Sequence, residues 1–271
     1  MQRLRVSILT PSYQQGRYLE ENIKSVVDQH YEPFEHIVID GGSTDNTTEV
    51  LKKYPHVRWV SEKDNGQADA LNKGLRMATG DIIGWINSDD TYVKDIFPDA
   101  MREFEDPGVQ WIVGNITTSL EAIETRIRRP SPRITHQSVL HDPDIVRQQG
   151  TFFRRVLLEE VGGWNADFHL VMDYDLWIRL AKISTPKMVD KYWACFRMHT
   201  DQKTTGRNLI RQTREIGAIM KREGVPGMVR QRIYGRKYFF LLKHTVKGLL
   251  LSTGLMPERY RNAPFFRPRE N

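Results

Sequence analysis

Four short apolar runs, residues 6–10, 36–40, 57–61 and 81–86, fill the first third of the chain, and each ends in a polar turn. Between them lie stretches of helical length. Residues 16–29 carry Leu19, Ile23, Val26 and Val27 at helical spacing, and Ser43-Thr44-Asp45 opens a second helix towards Tyr54. Residues 67–78 form a third, closed by Thr79-Gly80. Strands alternating with helices of about a dozen residues predict right-handed βαβ crossovers and a mostly parallel sheet flanked by helices. In such sheets ligands gather beyond the carboxyl ends of the strands. The first two strands end at Thr10 and Asp40, the third runs out towards Asp64, and the fourth enters Asn87-Ser88-Asp89-Asp90. The expectation is an acidic site on one sheet edge.

The 271 residues, 39% of them hydrophobic, suffice for one large α/β domain with an appendage. A lone cysteine, Cys195, excludes an internal disulfide and a thiolate-rich zinc site, and fits a reducing compartment. The polar break at Thr10-Pro11-Ser12 comes too early for a signal peptide, and no stretch approaches the roughly 18–20 apolar residues of a membrane span. A cytoplasmic protein is expected. The net charge of +6 is unevenly placed: residues 207–271 hold 15 Lys or Arg against 4 Glu, leaving −5 for residues 1–206. Over residues 230–251, basic residues surround Tyr238-Phe239-Phe240-Leu241-Leu242. That stretch is expected either to lie on the inner face of the cell membrane or to pack as a helix with a solvated basic face. No nucleic-acid-binding module accompanies the charge.

Beyond Asp90 the pattern loosens. Residues 126–132 read as a basic loop or sheet edge, residues 157–164 as a short helix with a Gly162-Gly163 stop, and residues 173–181 as a helix. A GxGxxG fingerprint, a Walker-type phosphate loop and a nucleophile elbow are all missing. Covalent catalysis is not indicated.

Two adjacent aspartates alone are an ordinary turn or helix cap. The order of motifs says more. Thr10-Pro11-Ser12-Tyr13, Asp40-Gly41-Gly42-Ser43-Thr44-Asp45, Ser61-Glu62-Lys63-Asp64-Asn65-Gly66-Gln67, Asn72-Lys73-Gly74 and Asn87-Ser88-Asp89-Asp90 follow one another. They are succeeded by Gln149-Gly150-Thr151-Phe152-Phe153-Arg154-Arg155, Gly162-Gly163-Trp164, Met172-Asp173-Tyr174-Asp175-Leu176-Trp177 and Arg197-Met198-His199. This series, from residue 4 to about 205, resembles glycosyltransferase family 2, whose members have the GT-A fold, are inverting and use nucleotide sugars.

The resemblance implies a GT-A catalytic domain over residues 1–205, with a donor half to about 115 and an acceptor half from about 116, and a helical basic extension over residues 206–271. Thr10, Pro11 and Tyr13 would line the base pocket, Asp40 would accept a hydrogen bond from the base, Asp64 would sit beside it and Lys73 near the donor. Asp89 would face ribose or metal, and Asp90 would be the direct ligand of Mn2+ or Mg2+, with His199 completing the metal shell and Arg197 pairing with phosphate. Asn87 stands where a first carboxylate often lies, and an amide is a poorer ligand. Asp173 matches the catalytic base, with capping as its alternative; Asp175 reads as a capping or salt-bridging residue. Gln149, Arg154 and Arg155 either border the acceptor or flank a strand. The implied donor is a nucleotide-diphosphate sugar, with UDP as the default, and the acceptor a glycan or lipid-linked saccharide in cell-surface polysaccharide synthesis. A non-catalytic nucleotide-sugar-binding or scaffolding protein of the same fold is the alternative. A nucleotidyltransferase would need a Gly-rich phosphate loop after the first strand, which Thr10-Pro11-Ser12-Tyr13 is not.

Overall fold

The computed structural model describes residues 3–120, 123–127, 134–199, 202–203, 208–232 and 234–235. The four apolar runs are strands β1 (Val6–Ser12), β2 (Phe34–Asp40), β3 (Val57–Ser61) and β4 (Ile82–Trp85). They lie parallel in the order β3-β2-β1-β4. Every residue of β1 is buried, as a central strand covered on both faces requires, whereas β3 at the edge exposes Arg58 and Trp59. The connecting helices are α1 (Gly16–Val27), α2 (Thr47–Lys52) and α3 (Gln67–Met77). Leu19 and Ile23 of α1 pack with Val50 and Leu51 of α2 over Val38 and Val57.

Beyond β4 the sheet continues with a different grain. It is completed by β5 (Thr91–Tyr92), β6 (Trp111–Leu120), β7 (Ile123–Ile127), β8 (Thr151–Arg154) and β9 (Lys187–Met198). The full order is β3-β2-β1-β4-β8-β6-β9-β5, with β7 on β6. β8 pairs antiparallel with both β4 and β6, β5 pairs antiparallel with β9, and β6 and β9 are parallel. Residues 123–127 thus form an edge strand rather than a loop, and the basic residues 128–133 lie outside the described residues.

Four further helices, α4 (Ile96–Glu103), α5 (His136–His141), α6 (Arg155–Glu160) and α7 (Met172–Ile183), accompany this half. Trp177 of α7 stacks on Trp111 of β6 at 5.9 Å and on Phe153 of β8 at 5.8 Å. Trp85 of β4 meets Trp164 edge-on at 5.5 Å. This aromatic block fixes α7, and with it Asp173 and Asp175, to the sheet. Helix α8 (Leu209–Arg222) follows, and its Glu215 accepts a hydrogen bond from the Leu170 amide ahead of α7 at 2.8 Å.

The chain divides into two compact units, Met1–Ile219 and Met220–Asn271. In the second, Gly224 at φ +70° ends the helix, as a left-handed glycine commonly does. Most of the basic apolar stretch expected over residues 230–251 lies outside the described residues. Among the described residues no helix is long and apolar enough to cross a membrane.

Candidate active site

The carboxyl ends of β1 to β4 bring their polar turns to one edge. Asp40, the last residue of β2, is fully buried. Its Oδ1 accepts from the Ser43 hydroxyl at 2.5 Å, and its Oδ2 from the Ser43 amide at 3.0 Å and the Ser61 hydroxyl at 2.6 Å. The carboxylate expected to face a base therefore already ties the β2 turn to the end of β3. Asp64 is half-buried and accepts from the Gly66 amide at 2.9 Å. It lies so close to Gly41 that a Cβ there would stand 2.9 Å from its Oδ2, so Gly41 makes the approach possible. On the other side of the same loop, Gly66 at φ +110° has His169 beside it.

Of the three residues expected to line a base pocket, Tyr13 offers its ring, at 63% exposure. Thr10 and Pro11 are buried. The Thr10 hydroxyl turns inward to His36 Nε2 at 2.9 Å, and burial drives the His36 pKa down to about 3. These two residues shape the strand behind the site. Lys73 is bound to Glu62 at 2.9 Å, with Asp69 at 3.8 Å, and its pKa is raised by these carboxylates.

The segment Asn87-Ser88-Asp89-Asp90 is a hydrogen-bonded hub. Asn87 Oδ1 accepts from Trp85 Nε1 at 3.0 Å and Gln67 Nε2 at 2.6 Å, while its Nδ2 donates to Gln148 Oε1 at 3.2 Å. An amide serves here because the position needs an acceptor and a donor together. The Ser88 hydroxyl donates to Gln15, and Asn22 Nδ2 donates to the carbonyls of Asn87 and Asp90.

The two aspartates differ in burial and in partners. Asp90 is 1% exposed; its Oδ1 accepts from the Arg197 amide and its Oδ2 from Gln149 Nε2, both at 3.0 Å. Burial and the neighbouring Asp89 charge push its pKa well up, against the pull of those two donors. The carboxylate expected to be the direct metal ligand thus has both oxygens engaged inside the protein. Asp89 sits at the surface of the site, its Oδ2 2.9 Å from His199 Nε2 and 3.3 Å from Gln15 Nε2. The His199 ring lies 4.8 Å from that of Tyr18. Arg197 donates to the Asp89 carbonyl at 3.0 Å and to Glu21 at 2.5 Å, and stands over the Tyr18 ring at 5.2 Å, so it anchors the end of β9 to α1.

Among the described residues no three His, Cys, Asp or Glu side chains gather as a metal-binding group. Asp89 and His199 form an oxygen and nitrogen donor pair. Such a pair fits a Mn2+ or Mg2+ ion whose other ligands are water and substrate phosphate. A cleft of about 540 Å³ opens beside His199, lined also by Tyr13, Gln14, Gln15, Arg17, Asp45 and Asn46.

Beside the mixed half of the sheet, Asp173 lies half-buried in the first turn of α7, its Oδ1 accepting from the Tyr174 amide at 2.8 Å. Asp175 is fully buried and ion-paired with Arg179 at 2.7 Å. The 3-10 turn Gln148–Gly150 carries the two glutamines that support Asn87 and Asp90, so Gln149 is bound into the hub. Arg154 spends its guanidinium on the carbonyls of Phe104, Asp106 and Val109, and Arg155 pairs with Glu159. Arg154 ends β8 and Arg155 opens α6. The roles of Gln15, Gln67 and Gln148 went unrecognised in the sequence, since a glutamine carries no signal of a partner far along the chain.

A parallel half-sheet with an acidic carboxyl edge, joined to a mixed half that presents another aspartate, suits a transferase that holds an anionic donor beside an acceptor. The comparisons agree. A family model described as glycosyl transferase family 2 matches residues 7–162. An uncharacterised glycosyltransferase of Mycobacterium tuberculosis is 32% identical over 186 residues, covering 67% of this chain and 70% of the relative. UDP-Glc:alpha-D-GlcNAc-diphosphoundecaprenol beta-1,3-glucosyltransferase WfaP of Escherichia coli is 26% identical over 225 residues, 79% of this chain and 86% of that one. In fold, the chain is similar to TarS of S. aureus, with a TM-score of 0.62 and 16% identity over 83% of this chain and 50% of TarS. It is also similar to the mannosyltransferase PcManGT of Pyrobaculum calidifontis, solved with GDP-Man and Mn2+, with a TM-score of 0.60 and 20% identity over 96% of this chain and 83% of that one. The architecture is that of the GT-A glycosyltransferases, and the chain belongs to glycosyl transferase family 2.

Proposed function

We propose that this glycosyltransferase moves a sugar from a nucleotide-diphosphate sugar, a UDP-sugar by preference, to a hydroxyl of a glycan or lipid-linked saccharide, with inversion, in cell-surface polysaccharide synthesis. The observation that carries the reading is the Asp89–His199 pair at the carboxyl edge. Asp89 and His199 would hold the divalent cation, which supplies charge neutralisation for the donor diphosphate. Tyr13 offers a surface for the base, with Asp64 beside it, and Asp40 and Asp90 keep the surrounding turns in place. Asp173 takes the proton of the acceptor hydroxyl as its oxygen bonds to the anomeric carbon. The bond from that carbon to the diphosphate oxygen breaks, and its electron pair leaves with the nucleoside diphosphate. Attack opposite the leaving group inverts the centre.

The name of WfaP supports a UDP-sugar and a lipid-linked acceptor, and the PcManGT complex supports manganese and equally a GDP-sugar. A thermal-shift screen across UDP-, GDP- and dTDP-sugars with and without Mn2+ tests the reading. The true donor should raise the unfolding temperature in a metal-dependent way by mass action. No shift with any of them overturns it. Metal-dependent donor turnover separates an enzyme from a binding protein of the same fold. The basic extension over residues 206–271 is proposed to hold the protein on the inner face of the membrane; unchanged fractionation after deletion of residues 225–271 would remove that part.

A further inference from the structure

Lys203 is a cation near the site that neither the family resemblance nor the proposed chemistry has used. Lys203 lies four residues beyond His199, where the chain leaves β9. Its own carbonyl and the preceding side chain are both engaged. Gln202 Nε2 donates to the Arg197 carbonyl at 2.5 Å, and the Lys203 carbonyl accepts from Asn208 Nδ2 at 2.8 Å. The ammonium reaches Gln67 Oε1 at 3.2 Å, and Gln67 in turn donates to Asn87. Lys203 is thereby connected to the same hub that presents Asp89.

Two other cations of the site are committed. Lys73 is bound to Glu62 and Asp69, and Arg197 to Glu21 and the Asp89 carbonyl. Lys203 differs. Among the described residues its hydrogen bond goes to a neutral amide oxygen, although its ammonium interacts electrostatically with Asp64, Asp89 and Glu215, opposed by Arg211. An ammonium has three donors. One is used on Gln67, and an ammonium that feels the charges of Asp64 and Asp89 is a point charge suited to phosphate oxygens.

We infer that Lys203 is a donor-binding residue, its ammonium contacting the diphosphate of the nucleotide sugar between the Asp64 loop and Asp89. This rests on the nucleotide-sugar reading above. When the glycosidic bond to phosphate breaks, negative charge grows on the departing diphosphate, so the same contact strengthens as the reaction proceeds.

The test measures binding of UDP and GDP, each with Mn2+, by calorimetry to the full chain and to Lys203→Met and Lys203→Arg. For whichever diphosphate the wild type binds, Lys203→Met should weaken affinity about 10–100-fold, the range for a lost hydrogen bond to a charged group, at an unchanged unfolding temperature. Lys203→Arg should restore most of it. Unaltered affinity in Lys203→Met removes the Lys203 contact and leaves the nucleotide-sugar reading standing. A loss that comes with a lowered unfolding temperature and that arginine fails to restore makes Lys203 a structural residue and overturns the inference. A wild-type chain that binds neither diphosphate overturns both readings together.

Discussion

His199 Nε2 lies 2.9 Å from Asp89 Oδ2 although 110 residues separate them in the chain. The contact joins the end of β9 to the turn after β4, and it stands on internal supports. Gln15 also reaches the Asp89 carboxylate, and Arg197 holds the backbone on either side of the pair. A donor pair assembled in this way needs little rearrangement to take a cation.

Removing either partner should therefore be read in metal dependence before stability. Asp89→Asn keeps the shape but removes the charge, and His199→Ala removes the nitrogen donor. Each should raise the Mn2+ concentration for half-maximal donor turnover by at least about tenfold, the scale on which even outer metal partners act. A manganese titration of donor hydrolysis reads this directly. Curves superimposable on the wild type would withdraw Asp89 and His199 as ligands.

Asp90 should behave in the opposite manner. Replacing it by Ala leaves the Gln149 amide and the Arg197 N–H without their acceptors in the interior, at a cost of about 1–3 kcal/mol each. Denaturant midpoints should fall, while the manganese requirement of the folded fraction moves less than in Asp89→Asn. The reverse ranking would restore Asp90 as the direct ligand.

The two aspartates of α7 separate catalysis from stability. Asp173→Asn should keep nucleotide binding and reduce transfer about 10²–10⁴-fold, as loss of a general base does. Asp175→Asn leaves Arg179 without its buried carboxylate, and losing one partner of a buried pair costs about 3–5 kcal/mol. Calorimetric nucleotide titration beside a transfer assay distinguishes them. Transfer retained in Asp173→Asn would move the base elsewhere.

How far these roles could be read in the sequence depended on whether the deciding contact was local. Strands β1, β2 and β4 were legible because a parallel strand buried on both faces reads as a largely apolar run. The antiparallel insertion of β8 between β4 and β6 was not, since Thr151–Arg154 is short and its partners are far away in sequence. Within the site, the motif order marked the aspartates as candidates. Which of Asp89 and Asp90 turns outward was not readable, because it is decided by Gln149, Arg197 and His199, 59 to 110 residues downstream. The inward turn of Thr10 was hidden for the same reason: it is set by His36 on the neighbouring strand.

At the opposite end of the sheet, Glu35 predicts the acid limit of the fold. Burial alone would raise its pKa, but hydrogen bonds from the Ser7 hydroxyl, the Thr79 amide and hydroxyl, and Arg58 outweigh burial and hold it at about 2. A carboxylate whose folded pKa lies below its unfolded value near 4.5 stabilises the fold fully above that value. The contribution is lost as pH falls from about 4.5 towards 2, because protonation must break the bonds to Ser7, Thr79 and Arg58. Glu35→Gln should lower the unfolding temperature at pH 7 and narrow the gap to the wild type as the solution is acidified through that window. Thermal unfolding of both proteins between pH 7 and pH 3 provides the check, and a gap that stays constant across the window would show that Glu35 is not the group linking acid to the loss of this fold.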